Sequence, residues 1–129
     1  MKKTLKSNFK DKRGRIIDIF VKKPKDHCSL VTFNKGAIRG NHFHKKSVQY
    51  SFVVSGKLVM LSARVNKNGD IIGKIKKEIL RENNFVTHKP FHAPAFKSIT
   101  KANLLAFVDG KRGGRDYEKD TFKLQTKLI

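Results

Sequence analysis

Short runs of apolar and β-branched residues, separated by polar and turn-forming residues, recur along the chain, and alternation such as the Ile-x-Lys-Ile within 71–80 has the two-residue period of a strand. No 11-residue window carries the 3.6-residue period of an amphipathic helix. The pattern predicts strands over 15–21, 29–33, 48–55, 57–65, 71–80, 85–87, 95–100 and 104–108. Their spacing predicts an all-β sandwich or barrel of antiparallel strands. The Lys and Glu content of 71–80 would also suit a helix, but Gly73 and the alternation favour a strand. Two turns stand out. Ser55-Gly56, inside FVVSGKLVML, predicts a hairpin because a small-residue pair that takes positive φ is flanked by apolar runs. Residues 66–70, NKNGD, predict an exposed hairpin tip. After Val108 the chain becomes polar and glycine-rich through DGKRGGRDYEKDTFKL.

A chain of 129 residues, 38% hydrophobic with ten Phe and no Trp, is enough for one core, so one domain over 1–129 is expected and disorder is excluded. The formal charge of +20 raises nucleic-acid binding. However, only seven of the 30 basic residues are Arg, the residue suited to bidentate phosphate contacts, and the lysines are scattered from Lys2 to Lys127. The charge therefore argues for a lysine-rich solvated surface that draws anionic small molecules, and against nucleic acid as the partner. One cysteine, Cys28, excludes an intrachain disulfide. With no secretory apolar region and no transmembrane run, a cytoplasmic location without membrane association is expected.

Within GAIRGNHFHKKSVQYSFVVSG (36–56), His42 and His44 are two apart, so in an extended chain both imidazoles face one cavity. Gln49 follows at the start of the next strand and can join them as a neutral ligand or hydrogen-bond partner. His88 and His92 lie around Pro90 and Pro94, in a turn-rich stretch from which a further imidazole can enter the same cavity. His27, alone beside Asp26, reads as an ordinary polar residue. Tyr50 points away from the face of Gln49 on a regular strand, toward core or a dimer contact.

The spacing Gly36, His42, His44, Gln49, Gly56 resembles the first motif of the cupins, G-x5-H-x-H-x4-E-x6-G, with Gln in place of Glu. The string RGNHFHKKSVQ resembles that of small bacterial sugar-nucleotide cupins, the dTDP-sugar 3,4-ketoisomerases and dTDP-4-dehydrorhamnose 3,5-epimerase relatives (WxcM-like). RGGRDYEKDTFKL is similar to their ending, so the likeness runs from about Gly14 to Leu128. It implies a single jelly-roll β-barrel, a homodimer, and an isomerase or epimerase that moves protons on a nucleoside-diphosphate-linked 4-keto-6-deoxy sugar for surface polysaccharide synthesis. The second cupin motif departs from the family: aligning HKPFHAPAFKS on its ending puts Pro94 where the metal-binding His belongs, unless a shift lets His92 take that role.

The resemblance implies His42 and His44 as base and proton-returning acid, with no cofactor required. Proton abstraction beside a carbonyl needs such a base and a group that stabilises the enolate. Arg39 matches the family's arginine and can hold diphosphate or enolate oxygen with its fork of donors; Gln49 and His92 complete the expected substrate contacts. The alternatives are a metal-dependent dioxygenase or lyase, with Fe, Mn or Zn on His42, His44, Gln49 and His92, or a non-catalytic sugar- or nucleic-acid-binding module. Two imidazoles and an amide have no negative charge to offset a divalent ion, which disfavours the metal. Gly110 to Arg115 has the composition of an anion cradle leading into Asp116, Tyr117, Glu118 and Asp120, which can pair with its basic groups.

Overall fold

The computed structural model describes residues 2–110 and 119–129; the glycine-rich cradle beyond Gly110 and the acidic residues up to 118 lie outside them. The described residues form thirteen strands: β1 (Lys2–Thr4), β2 (Phe9–Asp11), β3 (Gly14–Ile16), β4 (His27–Phe33), β5 (Ile38–Gly40), β6 (His42–Phe43), β7 (Val48–Ser55), β8 (Leu58–Val65), β9 (Ile71–Leu80), β10 (Asn84–His88), β11 (His92–Ser98), β12 (Ala102–Asp109) and β13 (Phe122–Lys123). All pairings are antiparallel. Strands β1-β10-β7-β12-β4 make a five-stranded sheet and β5-β11-β8-β9 a four-stranded one, the two layers of an all-β jelly roll, while β13-β6 and β2-β3 form two small pairs. No helix of the described residues is long and apolar enough to cross a membrane.

Side-chain alternation explains how the layers stack. In β8 the even positions Leu58 and Met60 enter the core between the sheets, with Val53, Val86, Leu104, Phe33 and Phe96. The odd positions Ala63 and Val65 enter a second core on the opposite face, where Leu124 and Leu128 of the C-terminal segment cover them together with Phe43, Ala93 and Ala95. β8 and β11 are therefore apolar on both faces, which is why 57–65 reads as a continuous hydrophobic run. The edge strand β1 carries Lys2 and Lys3, charges that discourage further pairing.

Two expectations change and one holds. The run 15–21 is strand only to Ile16; beyond it the chain leaves the sheet because Phe20 docks edge-on against Tyr50, Phe85 and Phe107. Lys25 anchors the same segment, with Nζ 2.8 Å from Asp109 and close over the Phe20 and Tyr50 rings. The Ser55-Gly56 pair is not a hairpin but a crossover between sheets, since β7 pairs with β10 and β12 while β8 pairs with β9 and β11. Residues 66–70 do form the β8–β9 turn, with Asn66 N–H donating to the Asp70 carbonyl, and Gly73 (φ 79°) sits where the β9 register shifts.

The crossover gives Gly56 a stricter requirement than Gly36, although both have positive φ (89° and 81°). A Cβ at Gly56 would run into the Lys101 carbonyl oxygen and the Ala102 backbone, whereas at Gly36 nothing lies within 4 Å. Gly36→Ala is expected to destabilise by about 1 kcal/mol, the conformational term alone, and Gly56→Ala by about 2 to 4 kcal/mol. Chemical denaturation midpoints check this, and equal losses would refute it.

Candidate functional site

Between the sheets, beyond the apolar core, lies a chamber of about 370 Å³. Its walls are largely apolar, with Phe33, Phe96, Leu104 and Pro94, and its polar groups are Arg39, His42, Gln49 and Ser51. Strand β7 makes the transition: the buried residues Gln49, Ser51 and Val53 alternate inward, the first two in the chamber and the third in the core. Tyr50 faces the other side, on the aromatic cluster around Phe20.

The Ile38–Gly40 strand and the histidines are separated by Asn41, which takes φ 61° and turns the chain between β5 and β6. Its N–H donates to the Pro94 carbonyl, and its Oδ1 accepts from the N–H groups of Leu128 and Ile129. His42 lines the chamber, and its ring centroid is 5.5 Å from that of His44. His44 is buried. Its Nδ1 lies 2.6 Å from the Asp120 carbonyl oxygen and its Nε2 3.2 Å from the Gln49 side-chain amide. A carbonyl oxygen only accepts, so Nδ1 donates and a neutral ring leaves Nε2 as the acceptor. As placed, Gln49 turns its Oε1 to Nε2 and can accept from a protonated ring; turned over, its amide nitrogen can donate to the lone pair of a neutral one. Uncharged Gln49 therefore suits a histidine that gains and loses a proton.

Asp120 holds this arrangement through its side chain as well. Its carboxylate accepts from the backbone N–H groups of Lys45, Lys46 and Ser47, the closest at 2.7 Å. Burial pushes the Asp120 carboxyl up, but these donors outweigh it and hold the group below the ordinary carboxylate range.

Arg39 lines the chamber from β5, its Nε donating to the Thr32 carbonyl at 3.1 Å and its guanidinium over the Phe33 ring. Arg39, Gly40 and His42 are shared with a second, outer cavity of about 740 Å³, whose walls include Lys123, Lys127 and Leu124. The two cavities meet at His42.

His92 is not brought to either chamber. The turn before β11, with Phe91 at φ 61°, directs its Nδ1 to the Pro90 carbonyl at 3.2 Å. His88 lies deeper instead, as the register partner of Gln49 and edge-on to Phe96. Of the two imidazoles expected from the 88–92 stretch, His88 is therefore the one that comes near. Asp120, expected to pair with the basic groups of 110–115, instead binds the backbone of 45–47 and the ring of His44, and Ser51, for which the sequence carried no signal, joins the chamber lining.

His42, His44 and Gln49 carry no negative charge together, His44 Nε2 already faces Gln49, and His92 stands apart. Among the described residues no group of three or more His, Cys, Asp and Glu is placed to hold a metal.

Burial, with His92 and His44 nearby, pushes His88 down to about 3 from its ordinary 6.5. The folded protein thus binds this proton less well than the unfolded chain, so the contribution of His88 is intact above about pH 6.5 and is lost as pH falls toward 3. In that window stability should drop by up to about 1.4 kcal/mol per pH unit from this group. His88→Gln should flatten the slope in denaturation midpoints measured from pH 7 to 4, and an unchanged slope would refute the assignment.

Residues 9–122 match the family model described as polysaccharide biosynthesis C-terminal domain. No curated protein matches the chain by sequence. Several solved structures share the fold. The sugar 3,4-ketoisomerase QdtA of Thermoanaerobacterium thermosaccharolyticum, in complex with TDP, is 17% identical with a TM-score of 0.76, over 97% of this chain and 88% of that one. The dTDP-4-dehydrorhamnose 3,5-epimerase of Sulfolobus tokodaii is 22% identical with a TM-score of 0.71, over 82% and 68%. The 3'-monoepimerase ChmJ of Streptomyces bikiniensis, in complex with dTDP-quinovose, is 20% identical with a TM-score of 0.71, over 84% of this chain and 63% of that one. The jelly roll is thus the one these sugar-nucleotide enzymes use, and the chain belongs to the polysaccharide biosynthesis C-terminal domain family.

Proposed function

We propose that the protein is an isomerase or epimerase that moves a proton on a nucleoside-diphosphate-linked keto-deoxysugar in polysaccharide biosynthesis. The observation that carries this is the junction of two unlike cavities at His42: an inner chamber with apolar walls and few polar groups, and an outer one bearing Arg39, Lys123 and Lys127. A deoxysugar suits the first. A diphosphate suits the second, where cations meet its charge and an arginine fork can bind two oxygens. Chamber-lining His42 and buried His44, with its fixed Nδ1–H and adaptable Gln49 partner, are the pair expected to remove and return the proton. The fold shared with two epimerases and a ketoisomerase supports the reaction class, and the family match supports the pathway. Sugar nucleotides and a free, exposed Cys28 suit a reducing, cytoplasmic setting.

The protein, given a dTDP-linked 4-keto-6-deoxyhexose in deuterated solvent, should incorporate deuterium at a carbon beside the carbonyl. His42→Asn and His44→Asn should each slow this by at least about a hundredfold, and Lys123→Gln with Lys127→Gln should raise KM and weaken its salt dependence. Mass spectrometry of the recovered sugar reads the label; no incorporation by the unaltered protein, across dTDP- and UDP-linked substrates, would sink the reading.

The same proposal includes a homodimer. β4 is the free edge of the five-stranded sheet, and its Leu30 is 65% exposed, a surface that a second copy can pair with and cover. Light scattering should give twice the chain mass, and Leu30→Lys should shift it toward one; a monomer at all concentrations would refute the dimer.

A further inference from the structure

The chamber contains one polar atom that no described residue partners. Ser51 is 1% exposed, its Oγ has no hydrogen bond, and it forms part of the chamber lining. Its register neighbours offer nothing, because Val86 and Ala106 flank it across β10 and β12, and Phe33, Phe96 and Leu104 complete the surrounding wall. Gln49, two residues away on the same face, has its amide against His44. An alanine would fill the same space without a buried hydroxyl, so the oxygen is unexplained by packing.

We propose that Ser51 is a substrate-binding residue whose hydroxyl meets one oxygen of the sugar ring and thereby decides which carbon faces His42. The inference rests on the proposed function and refines it to a sugar that presents one oxygen to Ser51 and C–H or methyl edges to the apolar wall. A hydroxyl both donates and accepts, so Ser51 can hold that oxygen as a carbonyl before proton transfer and as a hydroxyl after it. A sugar lacking oxygen there leaves the serine unpartnered, which makes Ser51 a selector of the substrate's oxidation pattern.

Ser51→Ala, which keeps the shape of the chamber, separates this role from a structural one. Calorimetric titration with dTDP and with a dTDP-linked 4-keto-6-deoxyhexose, together with thermal unfolding without ligand, gives three readouts. Expected are unchanged dTDP affinity, about tenfold weaker binding of the nucleotide sugar, and a melting temperature equal to or above that of the unaltered protein. Equal affinity for the nucleotide sugar in both proteins overturns the Ser51 inference and leaves the function standing. A lowered melting temperature also overturns it, since the hydroxyl would then have a partner within the fold. If the unaltered protein binds neither ligand, the functional reading and this inference fall together.

Discussion

The buried carboxylate of Asp120 is the contact on which the site depends. It takes the N–H groups of three successive residues, Lys45 to Ser47, while the carbonyl of the same residue takes the Nδ1–H of His44. Burying an ionised carboxylate costs several kcal/mol unless its oxygens are hydrogen-bonded, and a bend whose N–H groups converge supplies those bonds. One residue thus ties the C-terminal segment to the histidine segment, closes the turn into β7 and fixes the tautomer of a buried imidazole. The neighbouring contacts of Asn41 with Leu128 and Ile129 add a second tie between the same two pieces of chain.

The chamber follows from an abrupt change of side-chain size and polarity along the inward faces of a few strands. On β7 the inward sequence is Gln49, Ser51, Val53, and on β11 it is Pro94 and then Phe96. Where both strands present large apolar groups the sheets close into a core. Where β7 presents an amide and a small hydroxyl and β11 a proline, space and hydrogen-bonding capacity remain. The outward positions of β11, Ala93 and Ala95, are small for another reason: the C-terminal segment packs directly over them.

Alternation made much of the fold legible. The strands at 48–55 and 71–80 match to the residue, and 57–65 differs by one, because those runs are long and bounded by turn residues. Short elements escaped: β1, β2 and β5 have three residues each, too few for a period to register. The run 15–21 was misleading since Phe20 is apolar for an aromatic cluster on the outer face of the sheet, not for a strand. The Ser55-Gly56 turn was misassigned in its role, as positive φ at a glycine serves a crossover as readily as a hairpin, and only the partners of the flanking strands distinguish them.

The sequence by itself determined that His42 and His44 point to one side, because residues two apart in extended chain share a face, whereas Arg39 and Gln49 reach them only through the turn at Asn41 and the bend at 45–47. It determined the all-β class for the same local reason. Only the tertiary structure decided which distant groups join them. Asp120, 76 residues beyond His44, arrives because the C-terminal segment folds back over the second sheet. His88 comes next to Gln49 because of strand register, and His92 stays outside because one turn residue at positive φ sends its ring to a carbonyl. Register and turn geometry depend on every strand in the sheet at once, and so no short stretch of sequence contains them.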